Sequence, residues 1–139
     1  MVGSRTDLEG ASVADLFAGS GAMGIEALSR GAAAARFVDT GAEATRAIEA
    51  NLKTTGLSGD VVRADVVRHL REQSVRFDVA FADPPYAWDG WGELFEVLAA
   101  DLLVTESNRP IEPAEGWRVL KVSRYGDTVV TLAENAGAC

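Results

Sequence analysis

The sequence is poor in the residues that build disulfide frameworks and metal sites. Its 139 residues include one cysteine and one histidine, Cys139 and His69. A single cysteine excludes an intramolecular disulfide and a CxxC motif, and a single histidine excludes a His-rich metal site. We therefore expect no metal site. His69 is expected at the surface or in packing, and Cys139 has no inferred role.

Long apolar runs and basic charge are also scarce. No uninterrupted apolar stretch approaches the roughly 18–20 residues that a membrane helix needs. Residues 1–10 show no signal-peptide pattern, so we expect a cytoplasmic protein without membrane contact. Thirteen Lys and Arg residues against twenty-one Asp and Glu residues leave a net charge of −8. This balance excludes a surface that is basic all round, so any contact with nucleic acid has to come from a local patch.

Strand-like and helix-like segments alternate along the chain, and we expect one domain over residues 1–139. Strands are predicted at 13–17, 35–38, 60–64, 77–82 and 102–105. A last pair, 117–125 and 128–132, is joined at Gly126-Asp127, which is typical of a hairpin. Thr40 followed by Glu43 predicts a capping box at the start of a helix. The alternation predicts an α/β fold with a doubly wound, mostly parallel sheet that ends in an antiparallel β-hairpin.

A glycine-rich turn follows the first strand. Gly19, Gly21 and Gly24 have the spacing G-x-G-x-x-G, and Asp39 lies twenty residues after Gly19. In such an arrangement the glycines let the backbone approach a ligand, and the acid accepts hydrogen bonds from ribose hydroxyls. The alternative is that the small residues only serve helix–strand packing. The position of Asp39 favours a nucleoside cofactor.

The carboxylate of Asp15 indicates which cofactor this is. Near the end of the first strand it would repel a pyrophosphate at the N-terminus of the following helix. It would favour the ammonium and sulfonium groups of S-adenosyl-L-methionine, directly or through water. The alternative is a buried aspartate that loop amides satisfy. Asp65, after the third strand, either hydrogen-bonds an adenine edge or caps the next helix, and the two roles are compatible.

The tetrapeptide Asp83-Pro84-Pro85-Tyr86 follows the fourth strand, at the edge where open parallel sheets bind ligands. Two prolines lack N–H donors, so we expect the turn to expose carbonyl acceptors without competing donors, with Asp83 as an ionised acceptor. Such acceptors suit an exocyclic NH₂ group, and Tyr86 offers a ring on which a planar base stacks. The alternative is a rigid corner with a packing tyrosine. We expect Trp91 in the core, and Trp88 either in packing or in the target pocket.

These residues resemble the class I methyltransferases, and within them the bacterial 16S rRNA guanine-N2 methyltransferase family (the RsmD type). The resemblance is carried by Leu8–Gly10, Asp15–Ala32 and Asp83–Tyr86 and, more weakly, by Arg124–Thr128. It implies a Rossmann-like fold with a seven-stranded sheet and S-adenosyl-L-methionine as the methyl donor. It also implies a guanine N2 in ribosomal RNA, or in the assembling small ribosomal subunit, as the target.

The resemblance also implies the site residues. The catalytic corner is Asp83, Pro84, Pro85 and Tyr86. Contacts with the cofactor are expected from Asp15, Phe17, Ala18, Gly19, Ser20, Gly21, Asp39, Thr40, Asp65, Val66 and Asp83. The tetrapeptide alone is shared with adenine-N6 and glutamine-amide methyltransferases, so another amine or amide target is the alternative.

Members of the family carry a basic segment with an Arg-Pro-Thr motif before the first strand. Here only twelve residues precede Val13, and Ser4-Arg5-Thr6 does not match that motif. We therefore expect an uncovered sheet face, with self-association, for instance as a homodimer, or reduced stability. Two other functions stay open: a shortened relative that binds the cofactor without methylating RNA, and a dinucleotide oxidoreductase, which Asp15 disfavours.

Overall fold

The computed structural model describes residues 8–136, so Ser4-Arg5-Thr6 and Cys139 lie outside the described residues. Its strands are Ser12–Leu16 (β1), Ala34–Asp39 (β2), Asp60–Arg63 (β3), Phe77–Ala82 (β4), Ala100–Ser107 (β5), Trp117–Tyr125 (β6) and Thr128–Asn135 (β7). The helices that follow the first four strands are Ala22–Ser29 (α1), Ala42–Thr55 (α2), Val66–Glu72 (α3) and Trp91–Val97 (α4).

The seven strands form one sheet in the order β3-β2-β1-β4-β5-β7-β6. β1 to β5 pair in parallel, and β7 is antiparallel to both β5 and β6. The predicted α/β fold and the closing hairpin are therefore confirmed. From β1 the chain adds β2 and β3 on one side of the sheet, and it then returns to place β4 on the other side of β1. Such a switch point leaves a crevice at the carboxyl ends of the two strands, where ligands bind.

Helices cover both faces of the parallel part of the sheet. On one face, Ala27 of α1 and Ile48 of α2 pack around Phe37 of β2. On the other face, Leu70 of α3 and Leu94 of α4 belong to a second apolar cluster. Phe37, Ile48 and Leu94 are fully buried, and each such side chain contributes roughly 1.5–3 kcal/mol. This packing holds the carboxyl ends of β1 to β4 in fixed relative positions.

The start of α2 corrects one prediction from the sequence. The capping box of Thr40 and Glu43 does not form, because α2 begins after Gly41 and has no side-chain cap. Instead, Oδ1 of Asp39 accepts a hydrogen bond of 2.8 Å from the N–H of Gly41. The strand-end aspartate thus organises the entry to the helix, and Thr40 is left exposed at the carboxyl edge of the sheet.

The antiparallel end of the sheet is less well covered than its centre. Val104 of β5 and Val130 and Leu132 of β7 lie on one face and are only partly buried. Self-association through this face stays a prediction. Among residues 8–136, no helix is both long enough and apolar enough to cross a membrane.

Candidate active site

The carboxyl ends of β1 to β4 border one cavity with a volume of about 630 Å³. This volume lies within the range of small-molecule sites, roughly 300–1,000 Å³. Its walls are formed by Phe17, Asp39, Thr40, Asp65, Val66, Asp83, Pro84, Pro85, Tyr86 and Trp88. All of these except Trp88 are site residues that the sequence predicts. The tertiary structure therefore brings the ends of four strands, far apart in the chain, to a single cavity.

The glycine turn is tied to Asp39 across the mouth of the crevice. The N–H of Gly19 donates a hydrogen bond of 3.0 Å to Oδ2 of Asp39, and Gly41 binds the other oxygen. An ionised carboxylate has about four acceptor positions, so Asp39 retains capacity for ribose hydroxyls. Gly19 has a φ of +59° and open space where a Cβ would lie. The predicted cofactor contacts Ala18, Gly19, Ser20 and Gly21 form this turn but do not line the cavity.

Asp15 lies beneath the turn, not in the cavity wall. It is 3% exposed, and its Oδ2 accepts a hydrogen bond of 2.9 Å from the N–H of Gly24. This contact matches the alternative in which backbone amides satisfy the carboxylate. Burial raises the pKa of Asp15 to about 7, while the Gly24 hydrogen bond opposes the rise and the charges of Asp83 and Asp39 add to it.

Gly24 is required for close contact between α1 and the sheet. A Cβ at this position would lie 2.4 Å from a ring carbon of Phe37. Because Phe37 is fully buried between other side chains, its ring has little room to move. Gly24, the third glycine of the motif, therefore allows α1 to pack close to the sheet, and this fixes the position of the α1 N-terminus.

Two backbone carbonyl groups of the Asp83–Tyr86 corner accept hydrogen bonds from neighbouring residues. The N–H of Trp88 donates to the carbonyl of Pro85 at 2.9 Å, and the guanidinium of Arg109 donates to that of Tyr86 at 3.3 Å. The expectation that these carbonyls are free of competing donors is therefore wrong for Pro85 and Tyr86. The contacts hold the corner in place. Asp83 and Pro84 also line the cavity, and the carboxyl group of Asp83 is an acceptor there.

A second carboxyl group, which the sequence did not point to, contacts Asp83. Ala82 and Thr105 are paired across β4 and β5, so Asp83 and Glu106 follow at neighbouring positions. Their side chains are hydrogen-bonded. Asp83 lines the cavity and is partly exposed to solvent. The buried part of its side chain raises the pKa of its carboxyl group, and the hydrogen bond with Glu106 opposes this rise. Burial and the charge of Asp83 raise the pKa of Glu106.

Two aromatic rings, those of Phe17 and Trp88, form part of the cavity wall. Trp88 meets the ring of Phe17 edge-on at 4.9 Å and that of Trp91 at 5.1 Å. Trp91 is buried, as predicted. Trp88 both lines the cavity and packs against the apolar cluster that contains Trp91, so its place in a target pocket stays a prediction. Phe17 has a φ of +60°, an uncommon conformation for a bulky residue that costs about 1–3 kcal/mol. Such strained positions cluster at functional sites, and this one turns the Phe17 ring towards Trp88.

Asp65 caps the helix that follows it and also lines the cavity. Its Oδ2 accepts a hydrogen bond of 3.0 Å from the N–H of Arg68, which caps α3, and the residue also lines the cavity beside Val66. His69 lies farther along α3, with Nε2 3.4 Å from a guanidinium nitrogen of Arg36. Burial and the Arg36 charge lower its pKa. Within residues 8–136, no three His, Cys, Asp or Glu side chains are grouped to hold a metal ion.

Sequence reasoning missed Glu106 and Arg109. Glu106 lies in β5, and Arg109 lies in the loop after it. The sequence predicts this strand at 102–105, whereas it extends over Ala100–Ser107. An acidic residue at the end of a predicted parallel strand is the signal that would have identified Glu106. Arg109 carries no local signal, because its contact with Tyr86 depends on how the loop folds back.

Comparison with known proteins identifies the family. The family described as "Conserved hypothetical protein 95" matches residues 2–134. The chain belongs to this family. YlbH of Bacillus subtilis, whose name assigns it provisionally to the rRNA methyltransferases, is 37% identical over 138 residues, covering 88% of this chain and 75% of YlbH.

A second relative of the family is the "Ribosomal RNA small subunit methyltransferase D" of Haemophilus influenzae. It is 28% identical over 135 residues, covering 87% of this chain and 70% of that protein. A solved structure from Streptococcus pyogenes, described as a conserved hypothetical protein, is 32% identical with a TM-score of 0.82, covering 93% and 88% of the two chains. The resemblance to the RsmD type is thus confirmed.

Proposed function

We propose that this protein transfers a methyl group from S-adenosyl-L-methionine to the exocyclic N2 amine of a guanine in 16S ribosomal RNA. The observation that carries the proposal is the arrangement of the cavity, in which a nucleoside-sized space leads from Asp39 and Asp65 to the Asp83–Tyr86 corner. The names of the family's relatives support ribosomal RNA as the substrate class.

The residues around the cavity fit this cofactor. Asp39 and Asp65 line its wall, and the buried Asp15 lies beneath the adjacent turn. Carboxylates at these positions disfavour a pyrophosphate and favour a cation. They therefore suit an amino-acid ammonium and a sulfonium, with Asp39 facing the ribose and Asp65 and Val66 near the adenine. S-adenosyl-L-methionine, when bound, supplies a methyl group whose bond to a positively charged sulfur breaks as a nitrogen lone pair attacks.

The corner holds the acceptor amine. Asp83 accepts a hydrogen bond from the amine, which directs the nitrogen lone pair towards the methyl group, and it takes up the proton that the nitrogen loses. Tyr86 is 45% exposed, so its ring is accessible for stacking with the target base, a contact worth about 1–3 kcal/mol. The contacts from Trp88 and Arg109 fix the corner beforehand, and such positioning provides much of the acceleration in a direct transfer. A base within folded RNA has to be turned out of its stack first.

The experiment compares Asp83→Ala with Glu96→Ala, which removes an exposed carboxylate on the outer side of α4. The substrate is a small ribosomal subunit that lacks the methyl group, and the methylated nucleoside is identified by mass spectrometry. Asp83→Ala is expected to lose about 100-fold or more in rate while it binds S-adenosylhomocysteine like the parent, and Glu96→Ala keeps its activity.

Three results would contradict the proposal. Equal rates for Asp83→Ala and the parent would remove Asp83 from the catalytic corner. N6-methyladenosine, or a methylated protein amide as the product, would assign another target. A parent protein that binds S-adenosylhomocysteine but transfers no methyl group would support the shortened, cofactor-binding relative.

A further inference from the structure

The hairpin turn Arg124–Thr128, which the proposed function leaves without a role, lies beside the catalytic corner. Because β7 runs antiparallel between β5 and β6, the turn joining β6 to β7 projects from the same sheet edge as the carboxyl ends of the parallel strands. The hydroxyl of Tyr86 is 3.5 Å from Oγ1 of Thr128. The turn and the corner therefore form one continuous surface at the mouth of the cavity.

This surface carries two arginines and two exposed tyrosine rings. Tyr125 is 67% exposed, and Tyr86, whose hydroxyl lies near Thr128, is 45% exposed. Arg124 and Tyr125 are the last two residues of β6, directly before the turn, and their side chains point to opposite faces of the sheet at its carboxyl edge. Arg109 reaches the corner from the loop after β5, where it donates to the Tyr86 carbonyl. Exposed rings next to guanidinium groups are the combination that binds stacked bases and phosphates.

The two arginines differ from most others in the chain. Six arginines form ion pairs with carboxylates: Arg30, Arg36, Arg68, Arg71, Arg76 and Arg118. Arg109 and Arg124 make no such pair within the part of the chain that the structure describes. Acidic residues are also present nearby: Asp89 and Glu112 line one cavity with Arg109, and Asp127 lies in the turn after Arg124. Cationic charge is thus left available at the edge of a protein whose net charge is −8.

We propose that Arg109, Arg124 and Tyr125 form the surface that binds the RNA flanking the target nucleotide. The two guanidinium groups contact phosphates, and Tyr125 stacks on an unpaired neighbouring base. This inference rests on the proposed function and adds the place where the substrate is held. It also resolves the conflict between a polyanionic substrate and an acidic protein, because only the target base enters the acidic cavity.

The test measures binding of 16S ribosomal RNA, transcribed in vitro, to the full chain at several KCl concentrations. The variants are Arg124→Gln, Arg109→Gln, Tyr125→Ala and Tyr125→Phe. The control is Lys53→Gln, which removes one positive charge in the last turn of α2, at the opposite edge of the sheet. Binding of S-adenosylhomocysteine, measured by calorimetry, shows that each variant is folded with an intact cofactor site.

Each arginine variant is expected to bind RNA more weakly and to lower the slope of log K against log salt by about one. Tyr125→Ala is expected to lose about five- to 150-fold in affinity without a change in that slope, and Tyr125→Phe to retain affinity. Lys53→Gln should match the parent in both quantities.

Three outcomes would overturn this assignment. The first is that the variants bind RNA as tightly as Lys53→Gln. The second is a parent that binds S-adenosylhomocysteine but not the RNA. The third is weaker binding of the variants to intact small subunits with unchanged binding to naked RNA, which would assign the surface to a ribosomal protein. Normal RNA binding by a parent that transfers no methyl group would count against the proposed function and not against this surface.

Discussion

The carboxyl groups of Asp83 and Glu106 are hydrogen-bonded to each other at the mouth of the cavity, one residue beyond the paired positions Ala82 and Thr105. Two adjacent carboxyl groups hold a proton to a higher pH than separate ones do. The acceptor strength of Asp83 therefore depends on its neighbour in β5 as well as on its own burial.

Replacement of Glu106 should move the pKa of Asp83 in a direction set by the new side chain. Glutamine donates a hydrogen bond to the ionised Asp83 and lowers its pKa, whereas methionine fills similar space without a donor. We expect a lower pKa for Asp83 in Glu106→Gln than in Glu106→Met, measured by ¹³C NMR titration of the carboxyl group. Identical titration curves for the two variants would show that the hydrogen bond has no effect on Asp83.

Asp15 should make the folded state less stable as the pH rises. Its pKa is about 7 in the folded protein against 3.8 for an unperturbed aspartate, so the folded state binds the proton more tightly than the unfolded chain. The free energy of unfolding then falls as the pH rises from about 4 to about 7, and Asp15 causes no further change above that range. About three pH units correspond to at most about 4 kcal/mol. Asp15→Asn, which keeps an oxygen for Gly24 and never ionises, should lack this loss.

The measurement is the free energy of unfolding in urea at several pH values for the parent and Asp15→Asn. Subtraction of the two curves removes the contributions of other groups, including Asp78, whose lowered pKa acts in the opposite direction. A difference that does not change with pH would contradict the raised pKa of Asp15.

The same aspartate should couple the pH to binding of the cationic cofactor. Below about pH 7 the Asp15 carboxyl is mainly protonated, and its attraction for a sulfonium and an ammonium is reduced. We expect the affinity for S-adenosyl-L-methionine to fall by up to about tenfold per pH unit below pH 7, and the affinity for uncharged adenosine to stay level. Calorimetry with both ligands checks this expectation. Equal pH dependence in Asp15→Asn would assign the effect to another group.

Gly24→Ala should disturb the cofactor turn through packing. The added Cβ would lie 2.4 Å from the Phe37 ring and force α1 away from the sheet. We expect a loss of about 1–3 kcal/mol in stability and weaker binding of S-adenosylhomocysteine, because the N-terminus of α1 shifts. The matched control is Gly92→Ala in α4, where nothing lies within 4 Å of the new Cβ. That variant should be neutral or more stable by up to about 1 kcal/mol.

Local patterns were sufficient for most of the fold. The bounds of β4 and β6 agree with those predicted, because β-forming residues bounded by Pro84 or a Gly126-Asp127 turn carry their own signals. Thr40 and Glu43 show where such signals fail. Their spacing fits a capping box with Thr40 as the N-cap, but Asp39 accepts a hydrogen bond from the Gly41 amide, and Gly41 is the N-cap, one residue later. The end of β2 therefore decides where α2 begins, and the local spacing of Thr40 and Glu43 does not.

The amino-acid order by itself determined that acidic and glycine residues follow successive strands, and hence that a cationic nucleoside ligand fits the carboxyl edge. Only the tertiary structure decided that Asp15 lies below the cavity, that Asp83 meets Glu106, and that the Arg124–Thr128 turn adjoins Tyr86. The physical reason is that these contacts depend on strand order and register between segments distant in the chain. Hydrophobic periodicity places a residue on a face or at an end of its own element, but it does not specify the neighbour on the next one.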